Sequence, residues 1–508
     1  MQPGGMEVKM KMKRWLCGLL ACGMTLSLAA CGGGGDAGTQ GAGAGTGGGA
    51  SSDSGASSGG GENVVIAVPT PFDMPDAGEV EAAINEIAAE RYGVTVTLNF
   101  IPMGNWAQQG NLLLTGDEVD VIACMGTPLT TYVKNGQFME LDDFVAGASD
   151  EFKEIWSEEE LKGTTINGHI YAIPNLRNFG NYFGLGVDEE IAAEYGITDR
   201  QTWTMDEISE FLYKVHEEYP DRYALVPQGG SAMVNGWTWD GLGDGKFIGV
   251  LPDCGQTTTV QNLFETDDFV EFCTYTRKWY QDGLIMPDAL SNTETCSALI
   301  QSKKAVSAFE NYANNNVEGM IRTIVIDAWS VSNSYAELCY AINTNSKKGE
   351  AAWKALEMLY TDQEIATLFS DGIEGKHYVK NEDGTISYPE GKTPADCGYG
   401  MAELYWVVPY SGKTLPLDVN GPTFFEDLIA FNEATLQSKA IGFAFDTTEV
   451  SDQYTACSNI MDKYYSALLC GTVDVESTIA QANAEFEAAG LKDIIAAKQK
   501  QLDAFLGQ

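Results

Sequence analysis

Between residues 64 and 123 the hydrophobic period switches back and forth, and that alternation limits the fold more than any other feature of the chain. Val64–Val68 (VVIAV) is a short continuous apolar run, as expected of a strand buried on both faces. Val80, Ile84, Ile87 and Ala88 then recur at helical spacing, and Gly93 is placed to end that helix. Val94, Val96, Leu98 and Phe100 alternate with polar residues, which predicts a second strand. A further helix is expected over Trp106–Thr115 and a third strand over Val119–Ala123 (VDVIA). Strand–helix–strand–helix–strand implies parallel pairing and an α/β sheet with helices on its faces.

Ahead of this pattern, Gly32–Gly61 is almost wholly Gly, Ser, Ala and Thr. Such a stretch has little to bury and cannot offset its ordering entropy. As a flexible coil it has a mean reach of roughly 30 Å. The folded body then begins near Asn63 and runs for about 445 residues to Gln508. Chains split beyond roughly 250–300 residues, so two domains are expected.

The first thirty residues have their own pattern. Lys9, Lys11, Lys13 and Arg14 precede an apolar run from Trp15 to Ala30, and Leu28-Ala29-Ala30-Cys31 closes it. A spanning helix needs roughly 20 apolar residues, whereas a secretory peptide has a shorter core and a small-residue cleavage site. With the cysteine placed where cleavage should occur, the segment resembles a bacterial lipoprotein signal with its lipobox. The resemblance implies export, cleavage before Cys31 and lipidation of Cys31. Residues 31–61 would then form a tether at the extracytoplasmic face of the bacterial cell membrane. The alternatives are an uncleaved anchor or plain secretion.

A formal charge of −42 argues against a nucleic-acid partner and against anionic lipid. Eight cysteines follow Cys31, none in a C-x-x-C pair, so a zinc site has no support. Export would permit disulfides, but several of these cysteines sit among apolar neighbours, and both free and bridged states remain open. Thr204 and Glu207 form a capping box, with Trp203 and Ile208 as its staple. A second box is expected at Thr361 and Glu364, ended by Gly372. Helical patterns recur from about Thr455 to Leu506.

Several stretches together resemble extracellular solute-binding proteins. They are Tyr132-x-x-x-Gly136-x-Phe138-x-x-Leu141-Asp142-Asp143, Asn167–Pro174 (NGHIYAIP), Tyr195-Gly196-Ile197 with Trp203–Glu207, and Trp353–Val379. Gly442–Asp446 (GFAFD) and the helical end resemble the extra C-terminal domain of a lipoprotein subgroup of that family. The resemblance implies a type II periplasmic-binding-protein-like fold: two α/β lobes around a cleft with crossing hinge strands, plus C-terminal helices. It allots residues 62–180 and about 300–345 to lobe 1, 181–299 and about 346–445 to lobe 2, and 446–508 to a C-terminal helical segment. It also implies permease subunits of an ATP-driven (ABC) importer as partners.

Ligands of open α/β sheets sit beyond the carboxyl ends of strands. That rule selects Phe72 after the first strand, Thr127 after the third, and Tyr182 at a crossing between lobes. It also selects Asn235, Trp237, Trp239 and Asp240 in one loop, and Glu310, Asn311 and Tyr312 ahead of Asn314–Asn316 in another. Aromatic faces pack on sugar rings while Asn, Asp and Glu bind hydroxyls, so a sugar or oligosaccharide is the expected solute. Catalysis has little support. His169, His216 and His377 are isolated, neither H-E-x-x-H nor G-x-S-x-G occurs, and Gly241, Gly243 and Gly245 read as a tight turn rather than a nucleotide loop. No cofactor or metal is expected. The rival readings are a surface glycoside hydrolase, a binder of peptides or another non-sugar solute, and an adhesion lipoprotein.

Overall fold

The computed structural model describes residues 61–507 apart from 71, 230–231, 314–316 and 318. Cys31, the lipobox and the tether therefore lie outside the described residues, as does the Asn314–Asn316 run. In chain order the elements used below are β1 (Glu62–Thr70), α1 (Ala77–Arg91), β2 (Val94–Pro102), β3 (Val121–Met125), α2 (Leu129–Lys134), β4 (Ile173–Pro174), β5 (Asn181–Asp188), α3 (Met205–Glu218), β6 (Tyr223–Val226) and β7 (Ala305–Tyr312). They continue with β8 (Met320–Arg322), β9 (Ile326–Ser330), β10 (Leu338–Ile342), α4 (Gly349–Thr361), α5 (Gln363–Asp371), α6 (Phe424–Ala434), β11 (Leu436–Gln437), α7 (Ser451–Leu469), α8 (Val475–Ala489) and α9 (Leu491–Leu506).

Two sheets organise these elements. The first has the order β2-β1-β3-β10-β4, with β1 parallel to β2 and β3 as the alternating pattern predicts. The second has the order β11-β9-β5-β7-β6, with β8 also paired to β5. Each sheet carries its own apolar core, and the two α/β lobes are the expected fold. The helix after β1 ends where Gly93 takes φ 68°, a conformation that suits glycine. Its expected successor spans Met103–Leu113. The Thr204–Glu207 capping box is present at α3, with both reciprocal hydrogen bonds made.

The allotment of segments to lobes differs from the expectation. Of residues 300–345, β10 joins the first sheet, but β7, β8 and β9 belong to the second. The reason is burial: β7 lies between β5 and β6, nearly all of its residues are buried, and it would lose both partners elsewhere. Likewise α4 and α5 pack on lobe 1, where Phe152 meets Trp353 and Tyr360 edge-on at 5.3 and 5.8 Å. The C-terminal segment is helical as expected, and its Cys457, Met461, Leu468, Phe486, Ile494 and Leu502 belong to the second core. At α5 the cap is Asp362 rather than Thr361: the Asp362 carboxylate accepts from the Glu364 and Ile365 amides, while Thr361 closes α4 and bonds back to Glu357 O. Among the described residues no disulfide joins the eight cysteines of the body, and Cys124 and Cys339 face each other across β3 and β10. Among the described residues no helix is long and apolar enough to cross a membrane.

Several expected ligand contacts are instead core residues. Trp237 and Trp239 are 5% and 1% exposed. Trp237 packs against Phe183, Phe272 and Phe309, and Trp239 against Phe247 and Phe269. Asp240 is fully buried: one carboxylate oxygen accepts from Ser332 N (2.9 Å), the other from Ser332 Oγ (3.0 Å) and Leu242 N (2.8 Å). Glu310 and Tyr312 also point inward. Glu310 accepts from the Cys296 thiol at 3.3 Å, and Tyr312 donates to Thr323 O at 2.9 Å under the Arg322 guanidinium. Large aromatics lose most by exposure, so the loop turns its tryptophans inward and leaves Asn235 outside.

Trp239→Ala should lower the unfolding free energy by about 3–5 kcal/mol in urea titration, whereas Asn235→Ala should stay within about 0.5 kcal/mol of wild type. Asp371, buried at the end of α5, has its pKa pushed up to about 7 by desolvation, against hydrogen bonds from Ser370 Oγ and Leu415 N. The folded state therefore holds this proton more tightly than the unfolded chain, whose value is about 3.9. The stability it contributes is full below about pH 4 and falls as pH rises towards 7. Asp371→Asn should flatten that part of the stability–pH curve, read from urea midpoints at half-unit steps.

Candidate functional site

A cavity of about 300 Å³ opens where the carboxyl end of β3 meets the second lobe. On the first-lobe side the chain leaves β3 through Gly126 (φ 78°) and Thr127, turns at Pro128 and enters α2. Those turn residues form one wall, together with Gly163 and Ile166. Asn333, Ala336 and Glu337, on the crossing from β9 to β10, line the cavity between the lobes. Gly243, Gly442 and Ala444 supply the second-lobe wall. That wall is thin by necessity: a Cβ on Gly243 would lie 2.9 Å from the Ala444 Cβ, and one on Gly442 only 2.5 Å from Lys162 O.

The polar groups of the lining are held by their surroundings. Thr127 hydrogen-bonds the side chain of Tyr132, whose pKa is raised by burial and lowered by that bond. Glu337 pairs with Arg177, which also donates to Ser334 O at 2.7 Å and lies 5.9 Å from the Phe179 ring centroid. The crossing through residues 177–179 is clamped from α6: Asn432 accepts from Phe179 N at 2.9 Å and donates to Arg177 O at 2.8 Å. Across the mouth, Lys134 of α2 bonds Thr448 and lies 3.8 Å from Asp446, so the lobes touch beside the cavity.

Of the residues selected from sequence, Thr127 lines this cavity. Phe72 is half-buried against the first core. Asn235 and Asn311 are brought together by Gln228, which accepts from Asn235 N at 3.0 Å and donates to Asn311 Oδ1 at 2.5 Å. On the opposite face of β5 and β7, the half-buried Tyr182 meets Tyr312 and Phe431 with ring centroids 5.6 and 5.5 Å apart. This polar and aromatic edge lies at the carboxyl ends of β6 and β7, where the strand rule places ligand contacts. Gln228, Asn333 and Glu337 were missed because no local pattern marks them. Gly243 and Gly442 were visible only as a turn and as part of a family-like stretch.

The lining contains no histidine, cysteine, lysine or arginine. Its hydroxyl, amide and carboxylate groups can bind but do not form a nucleophile–base pair. Away from the cavity, Glu140, Asp142 and His169 bring ligand atoms within 4.8 Å of one another at the surface, a grouping the separate histidine positions did not suggest. There His169 Nδ1 is 3.2 Å from Asp142, and Tyr171 donates to Glu140 at 3.2 Å.

Comparison with known proteins places this geometry. A carbohydrate ABC transporter substrate-binding protein of Streptococcus pneumoniae serotype 4 is 23% identical over 449 residues, covering 85% of this chain and 89% of that one. Lipoprotein LipO of Bacillus subtilis is 22% identical over 372 residues, covering 64% of this chain and 70% of that one. The crystal structure of the N-glycan transport solute binding protein NgtS from Streptococcus pneumoniae superposes with a TM-score of 0.74 at 19% identity, over 88% of this chain and 99% of that one. Residues 439–507 match the model of a domain of unknown function. The model of the bacterial extracellular solute-binding proteins matches residues 75–366, more than half of the chain, and it describes a family of binding proteins rather than enzymes. The chain belongs to the bacterial extracellular solute-binding protein family.

Proposed function

We propose that the protein captures a sugar or oligosaccharide between its lobes and delivers it to the permease subunits of an ABC importer, held at the membrane by lipid on Cys31. The cavity lining carries the solute class. Thr127, Thr130, Asn333 and Glu337 offer hydroxyl, amide and carboxylate groups, and no cationic side chain lines the space. A neutral, hydroxyl-rich molecule can satisfy such groups, whereas an anion would meet Glu337, whose charge Arg177 already matches, and no further cation in the lining. The relatives named for carbohydrate and N-glycan transport support this solute class, and the lipoprotein relative supports the anchor.

Capture requires contacts from both lobes, since a ligand shifts an equilibrium only by its differential affinity for the two states. Calorimetric titration of the purified protein with neutral oligosaccharides, acidic sugars and tripeptides should give a Kd of about micromolar or tighter for a neutral oligosaccharide. X-ray scattering should show ligand-linked compaction, and Thr127→Trp, which fills the cavity, should abolish both signals. Binding of peptides alone would overturn the solute class. Labelled palmitate should enter the wild-type protein in a bacterial host and not the Cys31→Ala variant.

A further inference from the structure

The segment that matches the model of a domain of unknown function lines the cavity with Gly442 and Ala444, and its last helix grips the neighbouring wall loop through one buried cation. Lys498 on α9 is fully buried. Its Nζ donates to Ile248 O (2.8 Å), Gly249 O (2.9 Å) and Gly241 O (3.2 Å), and lies 3.3 Å from Asp244 Oδ2. The Phe445 ring centroid is 4.9 Å away. Three carbonyls need three N–H donors, which the ammonium supplies and a neutral amine does not.

The loop wrapped around this ammonium is strained. Leu242 and Phe247 take φ of 60° and 56°, left-handed values that cost non-glycine residues energy and persist only where the surroundings enforce them. Asp244 knits the loop by accepting from Lys246 N (2.8 Å), Ile248 N (3.0 Å) and Tyr454 OH (2.5 Å). Without the cation, converging carbonyls and a carboxylate would repel one another. The same loop presents Gly243 to the cavity, and Leu242 O accepts from Phe445 N (2.9 Å), which fixes the loop to the segment carrying Ala444. Gln501, almost one turn beyond Lys498, holds both Asp446 N (3.0 Å) and Asp446 O (2.9 Å).

We propose that Lys498 is a positioning residue: its ammonium, caged by residues 241–249, sets the second-lobe wall of the cavity and so tunes how tightly solute is held. Lys498, which is not part of the lining, thereby joins α9 to the binding apparatus. This inference rests on the reading of the cavity as the solute site.

The test compares Lys498→Ala, Lys498→Met and Leu502→Ala. Leu502 is equally buried on α9 but has no polar group to offer the loop. Both Lys498 variants should bind the best oligosaccharide of the panel about tenfold more weakly, as for a lost hydrogen bond. n-Propylammonium should restore most of that affinity to Lys498→Ala, where space is left for it, but not to Lys498→Met; tetramethylammonium should restore neither. Leu502→Ala should lower the unfolding midpoint yet keep affinity within about twofold of wild type. Unchanged affinity in the folded Lys498 variants, or an equal loss in Leu502→Ala, overturns the inference. Hydrogen exchange separates this from failure of the solute reading. If wild type binds nothing in the panel, the proposed function falls. Faster exchange of the Lys246 and Ile248 amides in Lys498→Ala, reversed by n-propylammonium, still supports the positioning role, and unchanged exchange refutes it.

Discussion

The bond between Asp240 and Ser332 is the constraint on which the arrangement around the cavity depends. Taking a carboxylate fully out of water is costly, and burial raises the Asp240 pKa against the bonds that oppose it. What holds it is saturation: backbone and hydroxyl of Ser332 on one side, the Leu242 amide on the other. Ser332 lies on the crossing between the sheets, next to Asn333 of the lining, and Leu242 opens the loop that carries Gly243. One carboxylate thus joins the crossing to the cavity wall, and a shift in either must be felt by the other.

Around that anchor, rigidity and freedom are divided. Within each lobe the parts are fixed by large cores and buried bonds, such as those of Tyr360 OH to Ile173 O and Pro174 O. The contact of Lys134 with Asp446 and Thr448 is exposed and polar by comparison. Exposed ion pairs contribute about 0–1 kcal/mol. A solute touching both walls can therefore outweigh the direct contact that joins α2 to the C-terminal segment.

Much of this was legible in the sequence, where periodicity is a local property. β1, β2 and β3, α1 with Gly93, and the Thr204 cap all follow from residues within one or two turns of each other. Lobe membership is not local. Nothing in AVSAFENY at 305–312 says which sheet it joins, because its strand partners lie more than eighty residues away. The site shows the same split. Thr127 was reachable from a strand end. Trp237, Trp239 and Asp240 were misplaced because an Asn–Gly–Trp loop reads alike whether its rings face a cleft or a core. Asn333 and Glu337 reach the cavity only through the tertiary course of the crossing.

The division of the second core has a consequence for the order of events during synthesis. Its apolar residues run from Phe183 to Trp329 and resume only at Ala440, ending with Leu502. A nascent chain emerges from its N-terminus, so the first sheet lacks only β4 and β10 once β3 is made, while the second lobe waits for nearly the whole sequence. Until α7 and α8 arrive, Phe269 lacks Tyr465 and Phe264 lacks Phe486, and until α9 arrives the carbonyls at 241–249 have no ammonium to surround. α9 is thus a closing piece for the second core, and truncation within it would leave an aggregation-prone half rather than a shortened protein.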